Sequence, residues 1–185
     1  MSTLTLAERV VAIDEALAEV PHAFGGALAL AYYAEPRATV DIDLNVFVPG
    51  ERFAEVAGPL TALGVATDDP AIEALVARDG QARVWWDATP IDLFFAYDPF
   101  HEAAAHARRV VPFADGSIPI LAAEHLVVCK VVFNRQKDWV DIDAIVDLGH
   151  ELDIAEVLRW VGRIAGDTDP RYERIVAVLT NRPRI

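Results

Sequence analysis

The sequence has little of what marks secreted or membrane proteins. Its 185 residues include one cysteine, Cys129, so no internal disulfide can form. No apolar run reaches the roughly 20 residues that a membrane-spanning helix needs. The N-terminus has no basic segment ahead of an apolar one, so we expect no signal peptide. These absences favour a cytoplasmic protein without a membrane partner.

Positive charge is also scarce. The chain has 29 acidic and 16 basic side chains, a net charge of −13, and residues 1–100 alone have 16 and five, a net −11. Such acidity either serves solubility alone or attracts a cationic small molecule, and it repels nucleic acid unless a metal ion or basic patch intervenes. An RNA contact is expected first at the densest basic set, which comprises Arg159, Arg163, Arg171, Arg174, Arg182 and Arg184.

The order of predicted elements indicates an α+β fold. Alternation and turn residues predict strands over 22–24, 40–48, 82–86, 91–96 and 108–113, with a hairpin joining 82–86 to 91–96 through residues 87–90. Helices are predicted over 6–19, 27–34, 51–63, 71–78 and from Pro119 to about 134, and then from near Lys137, Asp153 and Asp169. Because helices dominate the last third, we predict a core over 1–120 and a helical part over 121–185 that packs on it.

Two carboxylates on one strand are the first candidate for chemistry. Asp41 and Asp43 are two residues apart, so on a strand they project from the same face. Carboxylate oxygens are ligands that hold Mg²⁺, often together with substrate phosphates. The preceding pair Gly25-Gly26 would let the backbone approach a phosphate, although a tight strand-to-helix turn explains it equally well.

Asp92 is the third candidate carboxylate, in an otherwise apolar strand. If that strand pairs with residues 40–48, the three carboxylates can converge on two metal ions about 4 Å apart. Asp92 could then orient or deprotonate an attacking hydroxyl. The competing interpretation is that all three acidic residues are ordinary surface side chains.

The chain has only two lysines, and one of them, Lys130, lies in a run of valines. A lysine with a buried stem needs a fixed anionic partner, which is either a triphosphate or one of Asp138 and Asp141 on the next helix. Arg37 and Thr39, just before the carboxylate strand, could hold phosphate or cap a turn.

These pieces together resemble a known family. The glycine pair, Arg37-x-Thr39-x-Asp41-Ile-Asp43-Leu, and a lysine-bearing helix followed by Arg135-x-Lys-Asp138-x-x-Asp141 resemble the polymerase-beta-like nucleotidyltransferase superfamily. The most similar branch is the AbiEii-type toxins and related minimal nucleotidyltransferases, which include antibiotic-modifying ones. The resemblance covers about residues 20–150.

The resemblance implies a mixed sheet flanked by helices, two Mg²⁺ ions, and transfer of a nucleoside monophosphate from an NTP. It assigns Gly25 and Gly26 to the triphosphate loop and Lys130 to the triphosphate itself. It implies three metal ligands, which are Asp41, Asp43 and Asp92. It also implies that Asp138 or Asp141 is the acidic residue of the motif downstream of the lysine.

The acceptor stays open between an RNA or tRNA end, in a toxin-like role with an antitoxin partner, and a cationic small molecule such as an aminoglycoside. One departure from the family pattern is Ala27, where many members have a hydroxyl that contacts phosphate. The alternative is therefore a catalytically idle domain of the same fold that binds a nucleotide or a partner.

Overall fold

A computed structural model describes residues 4–148 and 152–180. The described residues divide into two compact units. The first unit comprises the described residues up to Leu28 together with Ala38–Leu121, and it contains the sheet. The second unit comprises Ala29–Arg37 and the described residues from Ala122 onward, and it is helical. The division at residue 120 expected from the sequence stays a prediction of domain structure.

The first unit is organised by a mixed six-stranded sheet. Its strands are β1 (His22–Phe24), β2 (Ile42–Pro49), β3 (Gln81–Trp86), β4 (Thr89–Ala96), β5 (Arg109–Phe113) and β6 (Gly116–Ile120). They lie in the order β3-β4-β2-β1-β6-β5. Pairs β2–β4 and β1–β6 are parallel, whereas β1–β2, β3–β4 and β5–β6 are antiparallel. The predicted α+β class with a mixed sheet is confirmed.

Strand β2 owes its placement to alternation between apolar and polar residues. Ile42, Leu44, Val46 and Val48 are buried on one face. Asp43 lies between two of them and is only half-buried. Successive side chains of a strand point to opposite faces, so the core face of β2 leaves the Asp43 carboxylate on the other face.

The hairpin between β3 and β4 has a shorter turn than the sequence analysis expected. Trp86 pairs with Thr89, so only Asp87 and Ala88 form the turn, and Thr89 and Pro90 belong to β4. Asp87 has a φ of 52°, which a two-residue hairpin turn of the primed type requires. Pro90 is tolerated because it precedes Ile91, where the pairing of β4 with β2 begins.

The helices agree with the predicted ones except in three places. The apolar stretch from Pro119 does not open a helix, because residues 116–120 pair as β6 with β1 and β5. Residues 99–107 form a helix that was not predicted, although Asp98 caps it and Pro99 occupies its first turn. The helix predicted over 27–34 ends at Leu30. None of the described helices is long and apolar enough to cross a bilayer.

The helices of the first unit pack against one another and against individual strands. Helix α1 contacts α3, α4 contacts β3, and α5 contacts β2. A short 3-10 helix, Gly50–Arg52, leads into α3. The helices up to residue 107 are α1 (Leu6–Ala16), α2 (Gly26–Leu30), α3 (Phe53–Ala62), α4 (Pro70–Asp79) and α5 (Pro99–Ala107).

The second unit is built around α6. This helix contacts the three helices that follow it. Residues Val127, Val128 and Val131 are fully buried, and Asn134 ends the helix with a φ of 55°. Its helices are α6 (Ala123–Phe133), α7 (Gln136–Asp147), α8 (Ile154–Ala165) and α9 (Pro170–Thr180).

Candidate active site

Two of the candidate carboxylates lie side by side on the sheet. Strand β2 runs parallel to β4 with Asp43 directly opposite Asp92. Side chains at paired positions of neighbouring strands share a face of the sheet. Convergence of the carboxylates required that the strand of Asp92 pair with the strand of Asp43. The structure shows this pairing.

Asp41 lies immediately before β2 and is held through its backbone. Its N–H donates to the Thr39 hydroxyl, and that hydroxyl is also within hydrogen-bond distance of the Asp41 carbonyl, both at 3.2 Å. Of the two roles considered for Thr39, the structure shows the turn-capping one. Its phosphate role stays a prediction.

Arg83 lies among the three carboxylates, and the sequence analysis did not identify it. It sits opposite Asp92 on β3, and its Nε and one terminal nitrogen each donate to an Asp92 oxygen at 2.7 Å. The same guanidinium lies 3.9 Å from the Asp41 carboxylate. The hydrogen bonds to Asp92 raise the pKa of Arg83 above its ordinary value, and the charges of Asp92, Asp41 and Asp43 act in the same direction.

The glycine pair packs directly against the Asp43 segment. The Gly25 N–H donates to the Asp43 carbonyl at 2.8 Å. Gly26 has a φ of 52°, and a Cβ at this position would overlap the Asp43 carboxylate. Glycine is therefore required at residue 26 both for its backbone conformation and for the space that the carboxylate occupies.

Lys130, Asp141 and Arg37 form an ion cluster inside the second unit. The Lys130 ammonium lies 2.6 Å from Asp141, and the side chains of both are about 95% buried. Arg37 donates from two nitrogens to the two oxygens of Asp141 at 3.2 and 3.1 Å. Burial alone would raise the pKa of Asp141, but hydrogen bonds from Arg37 and Lys130 outweigh it and hold that pKa below its ordinary value of 3.8.

Asp138, the other candidate partner of Lys130, has a different role. Its carboxylate accepts from the backbone N–H and the guanidinium of Arg135 at the start of α7. Asp141 is thus the carboxylate that pairs with Lys130. The roles of Lys130, Asp138 and Asp141 toward a nucleotide stay predictions.

The donor set of the first unit fits a divalent cation. Asp41, Asp43 and Asp92 offer the carboxylate oxygens that Mg²⁺ prefers. Gly26 leaves room for the Asp43 carboxylate, which a larger residue would displace. Over residues 4–148 and 152–180, no three carboxylate, imidazole or thiol groups surround a single metal position. The fit therefore rests on donor chemistry and on the space beside Gly26.

Comparison with known proteins gives one family and one fold. Residues 11–180 match the family model described as "Nucleotidyl transferase AbiEii toxin, Type IV TA system". No curated protein matches the chain in sequence.

Two solved structures of the antibiotic-resistance factor ANT(2'')-Ia share the fold. Its solution structure is 16% identical and aligns over 95% of this chain and 97% of that one, with a TM-score of 0.60. Its crystal structure in complex with adenylyl-2''-tobramycin is 18% identical and aligns over 86% and 99%, with a TM-score of 0.63. At these identities the likeness concerns the fold.

The packing of Gly26 against Asp43 predicts that Gly26→Ala is destabilising. We expect the free energy of unfolding, measured in urea, to fall by about 2 kcal/mol, because the methyl group overlaps the carboxylate and the backbone is strained. In an Asp43→Ala background the loss should be smaller, since only the strain remains. As a control, Gly116→Ala at the start of β6 meets no atom within 4 Å beyond its chain neighbours, and it should change the free energy of unfolding by less than about 0.5 kcal/mol. An equal loss in both backgrounds would contradict the overlap.

The buried ion cluster predicts a pH-dependent contribution to stability. Asp141→Asn leaves Lys130 buried without its charge partner and should lower the free energy of unfolding at pH 7 by about 3 kcal/mol. Because the folded-state pKa of Asp141 is depressed, its contribution is full well above pH 3.8 and is lost as the pH falls below that value. Urea unfolding from pH 7 to pH 3 should therefore show the variant converging on the wild type.

The matched control for this series is Asp167→Asn. Asp167 is exposed in the turn between α8 and α9. Its substitution should change the free energy of unfolding by less than about 0.5 kcal/mol. An equal fall in the free energy of unfolding in both variants at pH 7 would mean that the Lys130–Asp141 pair contributes no more to stability than an exposed aspartate does.

Proposed function

This chain belongs to the AbiEii nucleotidyltransferase family, and we propose that its transfer of a nucleoside monophosphate from an NTP depends on Mg²⁺ held by Asp41 and Asp43. Asp92 is the third carboxylate of this site. Nucleotidyl transfer itself follows from the family, whereas the metal, the residues and the acceptor are proposals.

One observation carries this assignment. Asp43 and Asp92 stand opposite each other on adjacent parallel strands, and Gly26 leaves the space that the Asp43 carboxylate needs. Strands disfavour aspartate, so a paired aspartate at the same level of two strands needs a reason beyond sheet formation. Metal binding supplies that reason.

Each carboxylate has its own role in the proposed reaction. When bound, Mg²⁺ neutralises the triphosphate and lowers the cost of charge on the departing pyrophosphate. Asp41 and Asp43 would hold the metal through their carboxylate oxygens. Asp92 orients the acceptor hydroxyl and takes its proton at a carboxylate oxygen. The acceptor oxygen then bonds to the α-phosphorus while the bond from that phosphorus to pyrophosphate breaks.

The first candidate acceptor is an RNA end, such as that of a tRNA. The family is described as a toxin of a type IV toxin–antitoxin system, which supports a cellular macromolecule as the target and an antitoxin protein as a partner. The densest basic set is the six arginines of the C-terminal part, four of them within the described residues. Of these four, Arg159 pairs with Glu156 and Arg171 with Asp169, so an RNA would compete with these carboxylates.

The second candidate acceptor is a cationic small molecule. The net charge of −11 over residues 1–100 favours it, since Asp41, Asp43 and Asp92 all lie within that range. A solved structure of the same fold holds an adenylylated aminoglycoside, tobramycin. An aminoglycoside is therefore the probe of choice for this alternative.

A transfer assay tests the proposal. The protein is incubated with each α-³²P-labelled NTP and Mg²⁺, with total RNA in one arm and mixed aminoglycosides in the other. We expect label on one acceptor class, and its loss by about 100-fold or more in Asp43→Asn and Asp41→Asn, since each removes a metal ligand. Asp115→Asn, in the exposed turn between β5 and β6, is the control and should label normally.

The outcomes separate the alternatives. Full turnover in Asp41→Asn or Asp43→Asn would exclude the assigned metal ligands. Metal-dependent NTP binding without label on any acceptor would support an idle nucleotide-binding domain, for which Ala27, without the hydroxyl of many relatives, is the supporting residue.

A further inference from the structure

Arg83 is placed on the carboxylates by the register of the β3–β4 hairpin. Strand β3 is an edge strand, and Arg83 lies opposite Asp92, which in turn lies opposite Asp43 on β2. The guanidinium binds both Asp92 oxygens at 2.7 Å and lies 3.9 Å from Asp41. Half of its side chain is exposed. The positive charge of Arg83 therefore offsets part of the negative charge of Asp41 and Asp92, which would otherwise attract the proposed metal ion.

The contact has an electrostatic consequence for any cation. A carboxylate that accepts two hydrogen bonds from a guanidinium is largely neutralised and has fewer lone pairs to offer. A fixed positive charge near Asp41 also repels a divalent ion at that carboxylate. Both effects lower the affinity of this face for metal as long as Arg83 stays on Asp92.

We propose that Arg83 and the divalent cation compete for Asp92, so that Arg83 withdraws from this carboxylate when the metal binds. The inference rests on the proposed function, because it takes Asp41, Asp43 and Asp92 as the metal face. Arg83 is a positioning residue in this account: it acts through Asp92 and holds the carboxylates together in the metal-free protein.

A purely structural role explains the pair less well. Exposed ion pairs add little to stability because water and salt screen them. Half of the Arg83 side chain is exposed and can move into solvent, whereas the Lys130 side chain is only 5% exposed. The Asp92 side chain is 21% exposed, and a cation that replaces Arg83 supplies the positive charge that this carboxylate needs. The geometry therefore suits a contact in which a metal ion replaces Arg83 at Asp92. The strength of the Arg83–Asp92 contact then influences the affinity of the site for metal.

A titration with Mn²⁺ tests the proposal without relying on activity. Free Mn²⁺ is followed by electron paramagnetic resonance in the full-length chain without NTP. We expect Arg83→Gln to tighten Mn²⁺ binding about three- to tenfold, since it removes the competing charge. Arg83→Lys should fall between, because a lysine cannot make the two-pronged contact.

Arg52→Gln is the matched control. Arg52 also makes a two-pronged, half-exposed pair, with Glu55, but it lies beyond the end of β2 opposite to that of Asp43. Its substitution should leave Mn²⁺ affinity unchanged. In an Asp92→Asn background, Arg83→Gln should have a smaller effect than in the wild type, because Arg83 acts through Asp92.

A second measurement uses the unmodified protein. The Nε–H signal of Arg83, assigned by its loss in Arg83→Lys, should shift in ¹⁵N-resolved NMR spectra as Mg²⁺ is added. An Arg83 signal that stays fixed while Mg²⁺ saturates the protein would overturn the proposal even if the variants fold poorly.

The remaining results separate the two proposals. Equal or weaker Mn²⁺ binding in Arg83→Gln, with nucleotide transfer retained by the wild type, overturns the competition and leaves the proposed function intact. Absence of Mn²⁺ binding in the wild type and in Arg83→Gln alike, both without NTP and with a non-hydrolysable NTP analogue, overturns both, since the three carboxylates then hold no metal.

Discussion

The parallel pairing of β2 with β4 is the constraint on which the site depends. Ile42, Leu44, Ile91 and Leu93 are fully buried, so their strands cannot slip by one residue without turning carboxylates into the core. The register that protects these apolar side chains is the one that sets Asp43 beside Asp92. The apolar residues on one face of the sheet thus fix the distance between the two aspartates on the other face. The site is therefore held by the same strand pairing that holds the core.

The two charged clusters of the protein use opposite electrostatic solutions. Lys130 and Asp141 are almost completely buried, and Arg37 completes a set in which each charge depends on its partners. Arg83 and Asp92 meet where water still reaches them. A buried pair is held by the cost of breaking it, whereas an exposed pair can be remade with little loss. The first cluster is accordingly suited to a fixed structural role and the second to a surface that changes partners.

Residue patterns predicted part of this arrangement, and the predictions that were wrong or missing have physical causes. Alternation identified the strand of Asp43, because burial on one face leaves a period of two in the sequence. That the strand of Asp92 pairs with it was only a condition in the sequence analysis, and the sheet order supplies it. Arg83 was not identified because no local pattern distinguishes it. The predicted four-residue loop would set it opposite Phe94, whereas the two-residue turn sets it opposite Asp92. The end of β6 at Pro119 and Ile120 was predicted as the start of a helix, because short apolar runs do not reveal their period. The choice of Asp141 over Asp138 depends on how α6 and α7 pack, which local patterns do not contain.

The turn at Asp87 and Ala88 has a consequence for how this family member can diverge. Surface loops are ordinarily where related chains gain and lose residues, because length there costs little. Here an added residue that shifted the β3–β4 pairing by one would turn Arg83 to the opposite face of the sheet, away from Asp92. The turn is also held by Arg9, which donates to the Trp86 carbonyl and to Asp87. The length of this turn therefore keeps Arg83 in register with Asp92. We expect insertions that leave the carboxylates unchanged to occur at other loops of the sheet.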